Sequence, residues 1–282
     1  MFFNKVAILG VGLIGASLAL ALRNKGLCRS VHGYGRTEEN LRRARERGII
    51  DDYSMDADKA CDHADLIVLA TPVGSFHTII GEVRGSLKKG AVITDVGSVK
   101  GSMVHELESL VREGTYYIGS HPIAGSDKSG IDDARPDLFR QALCVVTPTE
   151  TTDSLARDRI ISLWERLEGR VEVMDPYRHD EIFGAVSHLP HIVAYALVNT
   201  VDTFDPGCIG YAGQGFKDTT RIAMSSPEMW RDIVIFNRDN LIRLTGMLRE
   251  NLDRIATMLE NKDAAGIERT FSEARELRKG IE

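Results

Sequence analysis

The stretch KVAILGVGLIGASLALAL, residues 5–22, decides the fold. Val6 to Leu9 form a short apolar run that stops at Gly10, and from Leu13 onward helix formers continue until Gly26 closes the element. Strand, turn and helix therefore follow in immediate succession. Between them Gly10, Gly12 and Gly15 stand in the spacing G-x-G-x-x-G. The first glycine permits a tight turn, the second lets a pyrophosphate come against the backbone, and the third lets the helix pack on the strand with its N-terminus facing the anion. This predicts a dinucleotide-binding unit, against the alternative of a purely structural glycine-rich turn. The segment is also apolar enough to resemble a signal peptide or membrane span. Its glycines, and the polar Arg23-Asn24-Lys25 that follows, make it a poor version of either, so no membrane partner and a cytoplasmic location are expected.

Reading outward, SVHGYG (30–35) is a second strand, and TEENLRRARERG (37–48) is a polar helix with Thr37 as N-cap. ADLIVLATP (64–72) is a strand apolar on both faces, and GAVITDVGS (90–98) repeats the pattern. Strands alternating with helices give βαβ units and a doubly wound parallel sheet of Rossmann type. The alternation continues through ALCVVTP (142–148), a helix over 153–169 and RVEVMD (170–175). After Pro176 the strand signal ends. Helices are expected near 179–201 and in one long run from Glu228 to about Leu259, separated by a glycine-rich break at 208–218. The expected organisation is α/β: a dinucleotide-binding domain over 1–174 and an all-helical substrate and dimerisation domain over 175–282.

Composition agrees with two domains. The chain has 282 residues, 43% of them hydrophobic and 27% charged, as in an ordinary globular protein. A formal net charge of -6 argues against nucleic acid as a partner, because phosphate backbones need a basic surface. Cys28, Cys61, Cys144 and Cys208 are scattered without a C-x-x-C pair, which suits neither a zinc site nor a disulfide framework.

At the end of the second strand an NAD site usually offers an acidic residue to the ribose. Gly35, Arg36 and Thr37 stand there instead. A guanidinium and a hydroxyl suit a 2′-phosphate that a carboxylate would repel, so NADP is favoured, with NAD as the alternative. Gly10, Gly12, Leu13, Ile14, Gly15 and the Thr71-Pro72 pair after the third strand complete the expected cofactor site.

Three further clusters stand out. TDVGSVKG places Ser98 just past a strand end, where ligands sit in doubly wound sheets. SHPIAGSDKSG (120–130) carries His121 and Asp127 and reads as a turn entering a cleft. SHLPH with GFKDTTRIA brings Ser187, His188, His191, Lys217, Asp218 and Arg221 into the helical half. Each admits a plainer reading as a cap, a loop contact or a solvated helix residue. No metal is expected, because the histidine pair at i and i+3 lacks the H-E-x-x-H pattern and a neighbouring carboxylate.

Taken together, GVGLIGASLA, DVGSVK, HPIAG, SHLPH, FKDTTRIA and MWRDI closely resemble the prephenate and arogenate dehydrogenases of tyrosine biosynthesis, in order and spacing, from Val6 to about Asp232. The length suits the minimal form, without a regulatory or mutase domain. The resemblance implies oxidative decarboxylation of a cyclohexadienol (prephenate or arogenate) with hydride transfer to a nicotinamide, and a homodimer. It implies that His121 is the base at the ring hydroxyl, an imidazole titrating near working pH. Ser98 would bond the hydroxyl or the imidazole. Arg221 would bind a substrate carboxylate, His191 would line the pocket, and Asp127, Ser187, Asp218 and Trp230 would shape or gate it. Two rival readings are a hydroxy-acid or 6-phosphogluconate-type dehydrogenase and a dinucleotide-binding redox sensor. Neither needs HPIAG together with SHLPH.

Overall fold

The computed structural model describes residues 2–124 and 130–281, so Asp127 lies outside the described residues. Eight strands form one sheet: β1 (Phe3–Leu9), β2 (Cys28–Tyr34), β3 (Asp52–Ser54), β4 (Leu66–Leu69), β5 (Val92–Asp95), β6 (Tyr116–Pro122), β7 (Leu143–Thr147) and β8 (Arg170–Val173). Their spatial order is β3-β2-β1-β4-β5-β6-β7-β8. Every pairing is parallel except β6 with β7. The strand order reverses direction between β1 and β4, and a crevice opens beyond the carboxyl ends of these two strands.

Side-chain alternation along β1 shows how the sheet is buried on both faces. Val6 and Ile8 join one apolar cluster with Leu18, Leu22 and Trp164, while Ala7 and Leu9 join another with Phe76, Ile80 and Leu107. The helices supplying these covers are α1 (Leu13–Asn24), α2 (Glu38–Glu46), α3 (Ala57–Cys61), α4 (Phe76–Val83), α5 (Gly101–Leu110) and α6 (Ser154–Arg166). Thr37 does occupy the N-cap of α2, but its side chain makes no capping bond there.

Beyond β8 the described chain is helical: α7 (Pro176–Phe183), α8 (Leu189–Phe204), α9 (Gln214–Thr220), α10 (Pro227–Phe236), α11 (Arg238–Glu260) and α12 (Ala264–Lys279). A π-helical turn, Gly184–His188, joins α7 to α8. Its cause is Pro190, which has no N–H for the carbonyl four residues back and whose ring crowds that carbonyl, so the ladder widens. The long run expected from Glu228 is two helices, interrupted at Asn237. Asn237 is buried, and its amide donates to Asp180 O at 2.8 Å, a tertiary bond that overrides the local helical pattern. Two compact units divide the chain, Met1–Asn237 and Arg238–Glu282. The second holds the sequence neighbours α11 and α12 packed on each other, with Ile242, Met247, Leu252, Phe271 and Leu277 exposed.

Candidate active site

A cleft of about 690 Å³ lies beside the fingerprint, within the first unit. Gly10, Gly12, Gly35, Arg36, Thr37, Thr71 and Pro72 all line it. Gly10 has φ +110°, and a Cβ there would sit 2.5 Å from the Ala70 carbonyl, so only glycine fits where β1 passes β4. A Cβ on Gly15 would fall 2.9 Å from Ile8 Cγ2, which is the close helix–strand contact that the third glycine permits. At Gly12 a Cβ would meet nothing within 4 Å: the backbone there faces open space. No side chain caps α1, whose first residues are Leu13 and Ile14, so its leading N–H groups are left for an anion. This turn fits a dinucleotide pyrophosphate. Asn40 was not anticipated from the sequence; its amide donates to Val11 O at 2.8 Å and braces the turn from α2.

The catalytic candidates lie deeper. His121 sits on β6, which pairs parallel with β5 and antiparallel with β7, rather than in the turn entering a cleft that SHPIAGSDKSG suggested, and is 8% exposed. Its Nδ1 lies 2.9 Å from His179 Nε2, and His179 Nδ1 lies 2.8 Å from Asp180 Oδ1. Phe183 packs on both imidazoles, with centroids 5.1 Å from His121 and 4.5 Å from His179. Asp180 also accepts from Lys100 N at 2.8 Å, at the start of α5. Burial pushes its carboxyl up to about 6, against the opposing pull of Lys100, so it is ionised at neutral pH. Burial also pushes His179 down to about 2, and both it and the neighbouring charges hold His121 well below the ordinary histidine value. Burial thus favours the neutral form of the His121 imidazole, where the resemblance implied one titrating near working pH.

Beneath this relay Lys100 is wholly buried. Its ammonium donates to Asp95 Oδ2 at 2.6 Å, Gly97 O at 2.8 Å and Val99 O at 3.1 Å. Asp95 in turn accepts from Ser120 N at 2.9 Å. One ion pair thus ties the loop bearing Ser98 to the strand bearing His121. Ser98 is half-buried, and among the described residues its hydroxyl makes no bond to the imidazole. Its carbonyl instead faces His188 without closing a well-formed hydrogen bond.

The π-turn aims the two histidines of SHLPH differently. His188 is buried, lies 3.0 Å from the Asn237 amide through Nδ1, and is pushed down to about 4, chiefly by burial. His191 donates from Nδ1 to Ser187 O at 2.9 Å and stacks on Trp230, centroids 3.4 Å apart. Burial lowers the His191 pKa, and the nearby positive charge of Arg221 lowers it further. The structure thus brings His191, Ser187, Trp230 and Arg221 together. Asp218 is an exposed residue of α9 that accepts from Gln214 at 2.7 Å. Sequence reasoning missed His179, Asp180 and Asn237 as site residues, and it quoted Asp95 and Lys100 only as neighbours of Ser98. Buried polarity is their common property, and no local pattern announces it.

A dinucleotide crevice and a buried imidazole relay within one compact unit are the parts that a nicotinamide-dependent dehydrogenase needs. Comparison with known proteins narrows this. The family described as prephenate dehydrogenase, nucleotide-binding domain, matches residues 18–173, and the prephenate dehydrogenase dimerization domain matches residues 175–273. A crystal structure of prephenate dehydrogenase from A. aeolicus with hydroxyphenyl propionate and NAD+ is 36% identical, with a TM-score of 0.94, covering 99% of this chain and 98% of that one. A prephenate dehydrogenase of Bacillus subtilis is 34% identical over 99% of this chain and 76% of its own length. The cyclohexadienyl dehydrogenase of Zymomonas mobilis is 31% identical over 98% of this chain and 95% of its own.

The chain belongs to the prephenate dehydrogenase family. It is a nicotinamide-dependent oxidoreductase of tyrosine biosynthesis, performing an oxidative decarboxylation.

Proposed function

We propose that this enzyme oxidises prephenate or arogenate at the ring carbinol with His121 as general base, NADP as the favoured cofactor and Arg221 as the carboxylate ligand. The observation that carries the reading is the chain of close contacts from Asp180 through His179 to His121, from which the tautomers follow. Ionised Asp180 accepts from His179 Nδ1–H, which leaves His179 Nε2 as an acceptor for His121 Nδ1–H. His121 Nε2 therefore keeps its lone pair for a substrate hydroxyl. The bound nicotinamide supplies a hydride acceptor. As hydride departs, the hydroxyl becomes strongly acidic, so a base held below the ordinary histidine value suffices to take its proton. The C–CO₂ bond at the opposite ring position then breaks, and its electron pair completes the aromatic ring.

Ser98, just beyond β5, would hold the hydroxyl. Arg221 beside His191 provides the fixed positive charge that a dianionic substrate requires. Among the described residues, buried Trp230 Nε1 and His188 Nε2 close no hydrogen bond, and an incoming carboxylate would satisfy such donors. Ser187 fixes the His191 ring through its carbonyl, and Asp218, three residues before Arg221 in the sequence, and Asp127, after HPIAG, would shape or gate the pocket as the family resemblance implies. Gly35-Arg36-Thr37 at the cleft favours the 2′-phosphate of NADP. Although the compact units divide after Asn237, the family matches to 18–173 and 175–273 support a domain boundary between residues 174 and 175; the helical part would pair two copies through its exposed apolar side chains, and a cytoplasmic location fits a biosynthetic enzyme. The segment 176–204 is apolar enough by length to cross a membrane, yet it carries His179, Asp180, His188 and His191 of the site.

Replacing His121 with asparagine tests the assignment. Turnover should fall by roughly 10²- to 10⁴-fold with little change in KM. An unchanged kcat would remove His121 from the chemistry.

A further inference from the structure

The ribose end of the cleft lacks the carboxylate that a dinucleotide fold of NAD type carries after its second strand. The fold brings one there from elsewhere. Glu228, in the first turn of α10, lines the same cleft as Gly35, Arg36 and Thr37, and its Oε1 lies 3.9 Å from Arg36 Nη1. Its side chain is exposed, but the helix that carries it is held in place. Trp230 and Ile233 bury the opposite side of α10, and Asp232 packs so closely over Gly74 that a Cβ there would lie 2.5 Å from its carboxylate. The helix is thereby seated on the turn after β4, and its N-terminus favours a negative charge at Glu228.

We propose that Glu228 determines cofactor discrimination: it competes with the 2′-phosphate of NADP for Arg36 and so keeps NAD usable. This rests on the reading of Gly35 to Thr37 as the ribose site. With NADP bound, the guanidinium must leave Glu228 for the phosphate, and the carboxylate is left facing a like charge. With NAD bound, the Arg36–Glu228 pair persists. The two cofactors are thus weighed by a residue more than 190 positions from the strand that forms the site, as the numbering shows.

Calorimetric titration of NADP and NAD without substrate reads this directly, apart from turnover. Glu228→Gln should raise the NADP-to-NAD affinity ratio about tenfold, an effect of the size expected for removing one like charge beside the phosphate. The gain should shrink with added salt. In the Arg36→Ala background at least half of the gain should disappear. An affinity ratio within twofold of wild type in Glu228→Gln overturns the proposal, and so does a gain undiminished without Arg36. A wild-type preference for NAD would refute the favoured cofactor alone, because the shift caused by Glu228→Gln is read relative to whichever ratio wild type shows. Both positions are exposed, and a melting curve for each variant confirms that it is folded.

Discussion

Asp180→Asn separates the relay from ordinary packing. Asparagine keeps the shape and keeps an oxygen for the Lys100 N–H, which now lies 2.8 Å from Oδ1, but it removes the charge that selects the His179 tautomer. A charge-assisted hydrogen bond contributes ~1.5–3 kcal/mol and a neutral one ~0.5–1.5 kcal/mol, so about 1–2 kcal/mol of preference for the productive tautomer is lost. That corresponds to a fall in kcat of roughly 5- to 30-fold. Stability should move the other way. The Asp180 carboxyl is raised from 3.8 to about 6 in the folded protein, so the folded state binds its proton more tightly than the unfolded chain does. The resulting cost is absent below the unfolded value, grows as pH rises, and is complete above about 6, where it reaches ~2–3 kcal/mol. The variant, free of that cost, should melt higher at neutral pH while turning over more slowly, a combination that misfolding does not produce. The wild-type rate should also fall as pH drops through about 6, because protonated Asp180 donates to His179 and reverses both tautomers. Absorbance of the reduced nicotinamide across pH, with thermal melts, measures all three. A kcat within twofold of wild type and an unchanged acid limb would refute the relay.

Lys100→Met leaves Asp95 charged and unpaired in the interior, and should lower unfolding free energy by ~3–5 kcal/mol in a urea titration. Arg221→Ala should raise KM for prephenate by about one to two decades while leaving the NADP Kd nearly unaltered; a solvated arginine would change neither by more than a few tenths of a kcal/mol. Light scattering at micromolar concentration should return twice the mass of the 31.2 kDa chain, and a monomer mass would contradict pairing through the helical part.

The cofactor half was legible because its signals are local. Gly10, Gly12 and Gly15 lie within one turn, and the apolar runs of β1, β4 and β5 are short, continuous and bounded by turn residues. β7 was legible as a strand at 142–148, but its antiparallel direction was not, since a strand pattern does not record the direction of its neighbour. His121 looked like a loop residue because Pro122 and two nearby glycines dominate the reading, yet Pro122 ends a strand whose partner β7 supplies the order. The relay could not be read at all: His121 and His179 are 58 residues apart, and only the packing of α7 against the sheet brings them within 2.9 Å. Pro190 was noticed only as part of SHLPH, although its missing N–H is what produces the π-turn that sends His188 inward and leaves His191 against Trp230.

The most direct measurement is the tautomer of His121, read by nitrogen NMR of the enzyme labelled in its histidine rings, at a pH above the Asp180 transition. Protons on Nδ1 of both His121 and His179, with a bare Nε2 on His121, are predicted. A proton found on His121 Nε2 would leave no lone pair for the substrate hydroxyl, and would contradict the assignment of His121 as the base.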